Sequence, residues 1–148
     1  MERGSERYEI EQLLYQYAWM VDEREWSLMD TIFEPGASLD YTSCGGQHGP
    51  YRSTLEWLAR ALSAWPINLH FVSNIRIDLE SPDRASSRCY FMAPMGRHLE
   101  DGTQECITNA GYYLDTLVRL PEGWRIRERV CRQTVMIGNL PQEYKIPQ

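Results

Sequence analysis

From His70 onward the chain alternates with a period of two, in four long stretches over roughly 70 to 80, 85 to 98, 104 to 119 and 124 to 137. The connectors Ser81-Pro82-Asp83, Glu100-Asp101-Gly102 and Pro121-Glu122-Gly123 are short and carry hairpin turn chemistry. Strands joined this tightly must fold back on one another, so the second half is expected to form an antiparallel meander.

Ahead of the meander the period is helical. Ser5 suits an N-cap, and Ile10, Leu13, Leu14, Tyr17, Ala18 and Val21 recur at helical spacing to about Glu23. A second, short helix is expected over Trp26 to Phe33, ended by Pro35 and Gly36. Residues 37 to 43 alternate like a strand, and Gly45 to Pro50 reads as a loop whose glycines are weak evidence for phosphate binding. Ser53 with Glu56 makes a capping-box pattern for a third helix carrying Leu55, Leu58, Ala59 and Leu62, which stops before Pro66. Three helices followed by a long meander imply an α+β fold, with the helices on one face of a curved antiparallel sheet and a ligand cavity at its open end.

At 148 residues the chain fits a single domain spanning 1 to 148, in which 138 to 148, broken by Pro141 and Pro147, form a C-terminal tail. The formal charge of −6 and the lack of a basic run exclude a nucleic-acid footprint. No apolar stretch is long enough to cross a membrane and the N-terminus lacks a secretory h-region, so a cytoplasmic protein is expected. Four cysteines, Cys44, Cys89, Cys106 and Cys131, are widely spaced and fit buried reduced thiols. His48 in the glycine loop and His98 near a hairpin end read as exposed, and nothing in the histidine spacing suggests a metal site.

The Ile10-Glu-Gln-Leu-Leu-Tyr-Gln-Tyr-Ala helix, the His70-Phe-Val-Ser-Asn74 strand opening, Gly111-Tyr-Tyr-Leu-Asp115 and Gly123-Trp-Arg-Ile126 span nearly the whole chain. Together they resemble the NTF2-like superfamily, and its SnoaL-like branch in particular. That resemblance implies a cone-shaped barrel. Within the branch, the arrangement is similar to dehydratases that use no cofactor, among them scytalone dehydratase, bile-acid 7α-dehydratase and the dehydrochlorinase of lindane breakdown. Asp22 and His70 occupy the slots of the acid at the end of the first helix and the histidine at the start of the long strand. Tyr17 matches a tyrosine in the turn before the acid, and an arginine of the last strand completes the group.

Loss of water beta to a carbonyl needs a base for the carbon acid, a donor for the developing enolate and a proton for the departing hydroxyl. An imidazole suits the first task, and a carboxylate on its other nitrogen sets the tautomer. The expected catalytic set is therefore Asp22 and His70 as a dyad, Tyr17 as donor, and Arg129 or Arg132 as stabiliser of negative charge. Tyr41, Met92 and Asn109 are candidate substrate-binding residues. No metal or organic cofactor is expected. The substrate class is a small cyclic hydroxylated carbonyl compound such as a steroid or polyketide intermediate.

Other readings stand beside these. Tyr17 shares the apolar stripe of the first helix and has a packing role open to it, while Asp22 lies at the stripe's edge. His70 has the strand parity of Val72 and Asn74, opposite to the apolar Phe71, Ile75, Ile77 and Leu79, and faces a pocket only if a bulge resets the parity. Arg132 has the parity of Trp124, Ile126 and Val130; Arg129 needs a bulge to join them. A ketosteroid-isomerase-like activity would use Tyr17 with Asp40 and, as a second acid, Asp101. A non-catalytic binder, or a module like a dioxygenase small subunit, is the third reading. The resemblance implies a homo-oligomer, trimer or dimer, through the outer sheet face.

Overall fold

The computed structural model describes residues 3–148. Helix α1 (Arg3–Asp22) leads through a 3-10 turn (Trp26–Thr31) into β1 (Phe33–Asp40). A second 3-10 turn (Thr42–Cys44), the short β2 (His48–Pro50) and α2 (Tyr51–Leu62) follow. Then come β3 (Ile67–Asn68), β4 (Phe71–Ser81), β5 (Arg84–His98), β6 (Gln104–Leu120) and β7 (Gly123–Ile137).

The seven strands form one sheet in the order β2-β1-β7-β6-β5, with β3 and β4 both on the far side of β5. All pairings are antiparallel except β1 with β7, which is parallel. The sheet is open, with β2 at one edge and β3 and β4 at the other, so it is not a closed barrel. The α+β arrangement matches the sequence expectation, and the four meander strands fall within a residue or so of the expected bounds.

The first half departs in detail. Pro35 and Gly36 lie inside β1 rather than ending a helix, and the second helix is reduced to a 3-10 turn. The strand expected at 37 to 43 starts at Phe33 and ends at Asp40, and the glycine loop contains β2. Proline is tolerated in β1 because its ladder is irregular there: the pairing with β7 shifts between Phe33 and Ser38. The Ser53 capping box does not form; α2 begins at Tyr51 behind Pro50, and the Ser53 hydroxyl donates to the Pro50 carbonyl.

Helix α1 buries Ile10, Leu14, Tyr17 and Val21 completely or nearly so, and packs on β4 and β7, while α2 packs on β1. The inward residues of β5 and β6, among them Cys89, Phe91, Ala93, Ile107, Tyr113 and Leu117, alternate with outward ones and complete the core. Cys106 is exposed, contrary to expectation, because it alternates with inward Ile107 at the start of β6. Among the described residues no helix is long and apolar enough to cross a membrane.

Three bulges in the ladder decide which side chains face inward. In β4 the register slips between Ser73 and Arg76, and Asn74 adopts φ 54, the left-handed region that asparagine tolerates. Inward parity passes there from His70 and Val72 to Ile75, Ile77 and Leu79. In β7 one slip moves it from Trp124 and Ile126 to Arg129 and Cys131. A further slip lies opposite Ala110 and Gly111, where a Cβ on Gly111 would sit 1.8 Å from the Arg132 carbonyl oxygen, so only glycine fits.

Candidate functional site

The inner face of the sheet, α2 and the chain after β7 enclose a mostly apolar cavity. Trp57, Leu58, Ala61 and Leu62 come from α2, Phe91, Ala93 and Met95 from β5, and Ile107, Asn109 and Tyr113 from β6. Tyr17, Tyr41, Cys44, Trp65, His70, Cys131, Gln133 and Met136 also face it. Leu140, Tyr144 and Ile146 of the C-terminal segment cover the remaining side. That segment is fastened: Tyr144 Oη donates to the Ala61 carbonyl at 3.0 Å, and Trp57 Nε1 donates to the Pro147 carbonyl at 2.8 Å. The residues expected to be a tail are thus part of the cavity wall.

Asp22 is the last residue of α1, and Arg24 just beyond it adopts φ 61 and reverses the chain. The Arg24 guanidinium donates to the Trp65 carbonyl at 2.7 Å and the Leu62 carbonyl at 3.3 Å, tying the end of α1 to the end of α2. From there Ile67, Asn68 and Leu69 are laid along β5, which delivers His70 beside Asp22. Asp22 Oδ1 lies 2.6 Å from His70 Nδ1, and Asp22 Oδ2 accepts the backbone N–H of His70 at 2.8 Å. The carboxylate therefore grips both the ring and the main chain. With Nδ1–H donated to it, the lone pair of the ring is on Nε2, which has no hydrogen-bond partner among the described residues.

At another part of the wall, the Tyr17 and Tyr41 hydroxyls form a short, buried hydrogen bond. Burial, only partly offset by the charge of Arg129, pushes the Tyr17 phenol up to about 12, and burial also raises Tyr41 well above the usual tyrosine range. Both are neutral donors at physiological pH. Two phenols sharing one mutual hydrogen bond leave a second O–H to offer to a ligand.

Arg129 stands behind this pair rather than in the cavity. Its guanidinium makes a two-pronged bond to Asp115, Nε to Oδ1 at 2.7 Å and Nη2 to Oδ2 at 2.8 Å. It packs between the rings of Tyr113 and Tyr17, with Cζ 4.0 Å and 4.4 Å from their centroids. The side chains of Arg129 and Asp115 are 1% and 0% exposed, so the charges are sealed in and only Nη1 lacks a partner.

The structure thus brings His70, Tyr17, Tyr41 and Asn109 to one cavity, with Asp22 bonded to His70 outside its lining and Arg129 packed on the rings of Tyr17 and Tyr113. Two candidates are corrected. Arg132 is exposed on the outer face, because the bulge in β7 gives inward parity to Arg129, Cys131 and Gln133. Met92 is also exposed, since Phe91 and Ala93 on either side of it face inward. Asp40 is held by Thr42 near the surface and Asp101 by Thr103 in an exposed turn, so neither acid of the isomerase reading reaches the cavity.

Asp115 and Tyr113, which the sequence shows only within the Gly111–Asp115 motif, and Trp57 and Trp65 are not among the expected site residues. A signal for Asp115 was present: an acid on the inward parity of Tyr113 and Leu117 needs a cation opposite it, and Arg129 is its cross-strand partner. Among the described residues there is no cluster of three or more histidine, cysteine or carboxylate side chains placed to hold a metal ion.

Residues 2–130 match the SnoaL-like domain family, and the chain belongs to that family, a branch of the NTF2-like superfamily. An uncharacterised protein of Mycobacterium tuberculosis is 36% identical over 136 residues, covering 89% of this chain and 90% of the relative. Among solved structures, a candidate scytalone dehydratase from Novosphingobium aromaticivorans superposes with a TM-score of 0.77 at 20% identity, covering 93% of this chain and 90% of the other. A hexachlorocyclohexane dehydrochlorinase superposes with a TM-score of 0.76 at 18% identity, covering 96% and 97%. At such identities the likeness is one of fold.

Proposed function

We propose that this chain is a lyase that removes water from a small cyclic hydroxylated carbonyl compound without a metal or organic cofactor, with Asp22 and His70 as its general base. The observation that carries this reading is the double grip of Asp22 on His70, which leaves Nε2 unpartnered on a cavity-facing ring. The base takes the proton from the carbon beside the carbonyl, and Asp22 steadies the imidazolium that forms. The spare O–H of the Tyr17–Tyr41 pair donates to the carbonyl oxygen as it gains charge. The hydroxyl on the next carbon departs as water with the proton returned from Nε2, so no proton is lost overall. Asn109 binds the substrate. Arg129, held by Asp115 behind the wall, acts through the rings it packs against and touches no substrate.

Aromatic and thioether walls suit a ring-containing substrate, of which a steroid or polyketide intermediate is the proposed class. The outer sheet face, where Phe71, Tyr90, Met92, Val135 and Ile137 are exposed, supports assembly into a homo-oligomer.

The test is a screen of hydroxylated cyclic ketones for a new conjugated chromophore, run with Asp22→Asn and His70→Ala beside the unaltered chain. In parallel, exchange of the carbon-bound proton with heavy water is followed by NMR. Turnover or exchange that both substitutions abolish supports the base; ligands that bind with neither reaction leave a carrier, and the catalytic assignment is lost.

A further inference from the structure

Cys44 and Cys131 are 87 residues apart in the chain, yet their sulfurs lie 3.4 Å apart in the wall of the cavity. Cys44 closes the 3-10 turn Thr42–Cys44, and its backbone N–H donates to the Tyr41 carbonyl at 3.0 Å. The turn is pinned to β7 on both sides of Cys131: the Ser43 hydroxyl donates to the Cys131 carbonyl at 2.6 Å and accepts the Gln133 N–H at 2.9 Å. Cys131 is buried on the inward face of β7, whereas Cys44 is half-buried.

We infer that Cys44 and Cys131 form a redox-active dithiol that reacts with small disulfide molecules and closes to an intramolecular disulfide, clamping the Tyr41 turn to β7. The geometry carries this independently of the proposed elimination; it stands whether or not the chain turns a substrate over.

The two thiols are not equivalent. The hydrogen bond from Cys131 holds Cys44 below the usual thiol range, while the same pairing, together with burial, pushes Cys131 well above it. Cys44, the more accessible, is the attacking thiolate. Its sulfur displaces one half of an organic disulfide as a thiolate and is left as a mixed disulfide. Cys131 gives its proton to the departing thiolate and attacks the Cys44 sulfur, expelling the second half, which is protonated by solvent. Two protein thiols are oxidised, one small disulfide becomes two thiols, and no other reactant is needed. The sulfurs need only close from 3.4 Å to a bond of about 2.05 Å. Cys89 is a poor competitor, since burial pushes its thiol up to about 11.

The full chain carrying Cys106→Ser, which removes the exposed thiol, is incubated with oxidised glutathione, quenched with an alkylating agent in denaturant and mapped by mass spectrometry. It is expected to lose two of its three remaining thiols, to yield a peptide joining Cys44 to Cys131 with Cys89 alkylated, and to recover on reduction. Adding Cys131→Ser should trap glutathione on Cys44, and adding Cys44→Ser should leave Cys131 unmodified. A lasting mixed disulfide without Cys131→Ser, or three thiols still free after prolonged incubation, overturns the proposal. Should either added substitution lose its circular dichroism signal, the peptide map of the Cys106→Ser chain alone decides the matter.

Discussion

Two carboxylate-centred pairs stand at or behind the wall of the same cavity and differ in what each leaves over. Asp22 and His70 sit where α1 ends and β4 begins, with side chains 15% and 10% exposed. Arg129 and Asp115 face each other across β6 and β7, 1% and 0% exposed, with tyrosine rings against the guanidinium. The first pair keeps a basic nitrogen without a protein partner; the second has nearly all its capacity used by its own members. A pair with a free lone pair can move a proton, whereas a sealed pair can only hold its surroundings in place. Removing a member of the first should therefore cost reaction, and removing a member of the second should cost the fold.

The largest effect expected is from His70→Ala, which should lower kcat/KM on the order of 10⁴-fold while leaving the far-UV circular dichroism spectrum unchanged. A loss below tenfold in steady-state kinetics would strip the first pair of its role. Next, Arg129→Met should destabilise the chain by about 3–5 kcal/mol in urea denaturation, because Asp115 is left charged and buried without its partner. The double substitution Arg129→Met with Asp115→Leu should recover most of that. If the single change unfolds nothing but abolishes turnover, the contrast between the pairs is inverted.

A smaller effect concerns alkali. Tyr17 titrates at about 12 in the folded chain against a reference of 10.0. Folding therefore binds the extra proton between those values, so the stability it lends is whole below pH 10.0 and falls as pH rises towards about 12. Denaturant titrations across that window should show a decline with pH that Tyr17→Phe reduces. Least of all, Arg132→Ala should shift stability by less than about 0.5 kcal/mol and leave kcat unaltered. A tenfold change in kcat would draw the outer face of the sheet into the site.

How much of this was legible beforehand differs by region. The meander could be read almost to the residue, because alternation and turn chemistry are local and agree with one another over 70 to 137. The segment from Trp26 to Pro50 was read less well: Pro35 and Gly36 look like stop signals, yet an irregular ladder against β7 absorbs them. Asp22 and His70 came from resemblance rather than pattern, since the helix stripe and the strand parity both argued for ordinary surface positions. Arg129 could be narrowed only to a pair. Asp115 stands in the Gly111–Asp115 motif but not among the expected site residues, although an acid on an inward parity is itself a sign of a buried cation opposite it.

The order of the two α-helices and the four meander strands, the helix stripe that buries Tyr17 and the hairpin pairing were determined by the sequence alone, since each depends on residues within a few positions of one another. Which side chains face the cavity was decided only by the tertiary structure. One extra residue at Asn74 and the slips in β7 invert the facing of everything on one side of them. Whether a strand takes up such a residue depends on the strand hydrogen-bonded beside it, so the exchange of Arg132 for Arg129 is settled across the sheet and not along the chain.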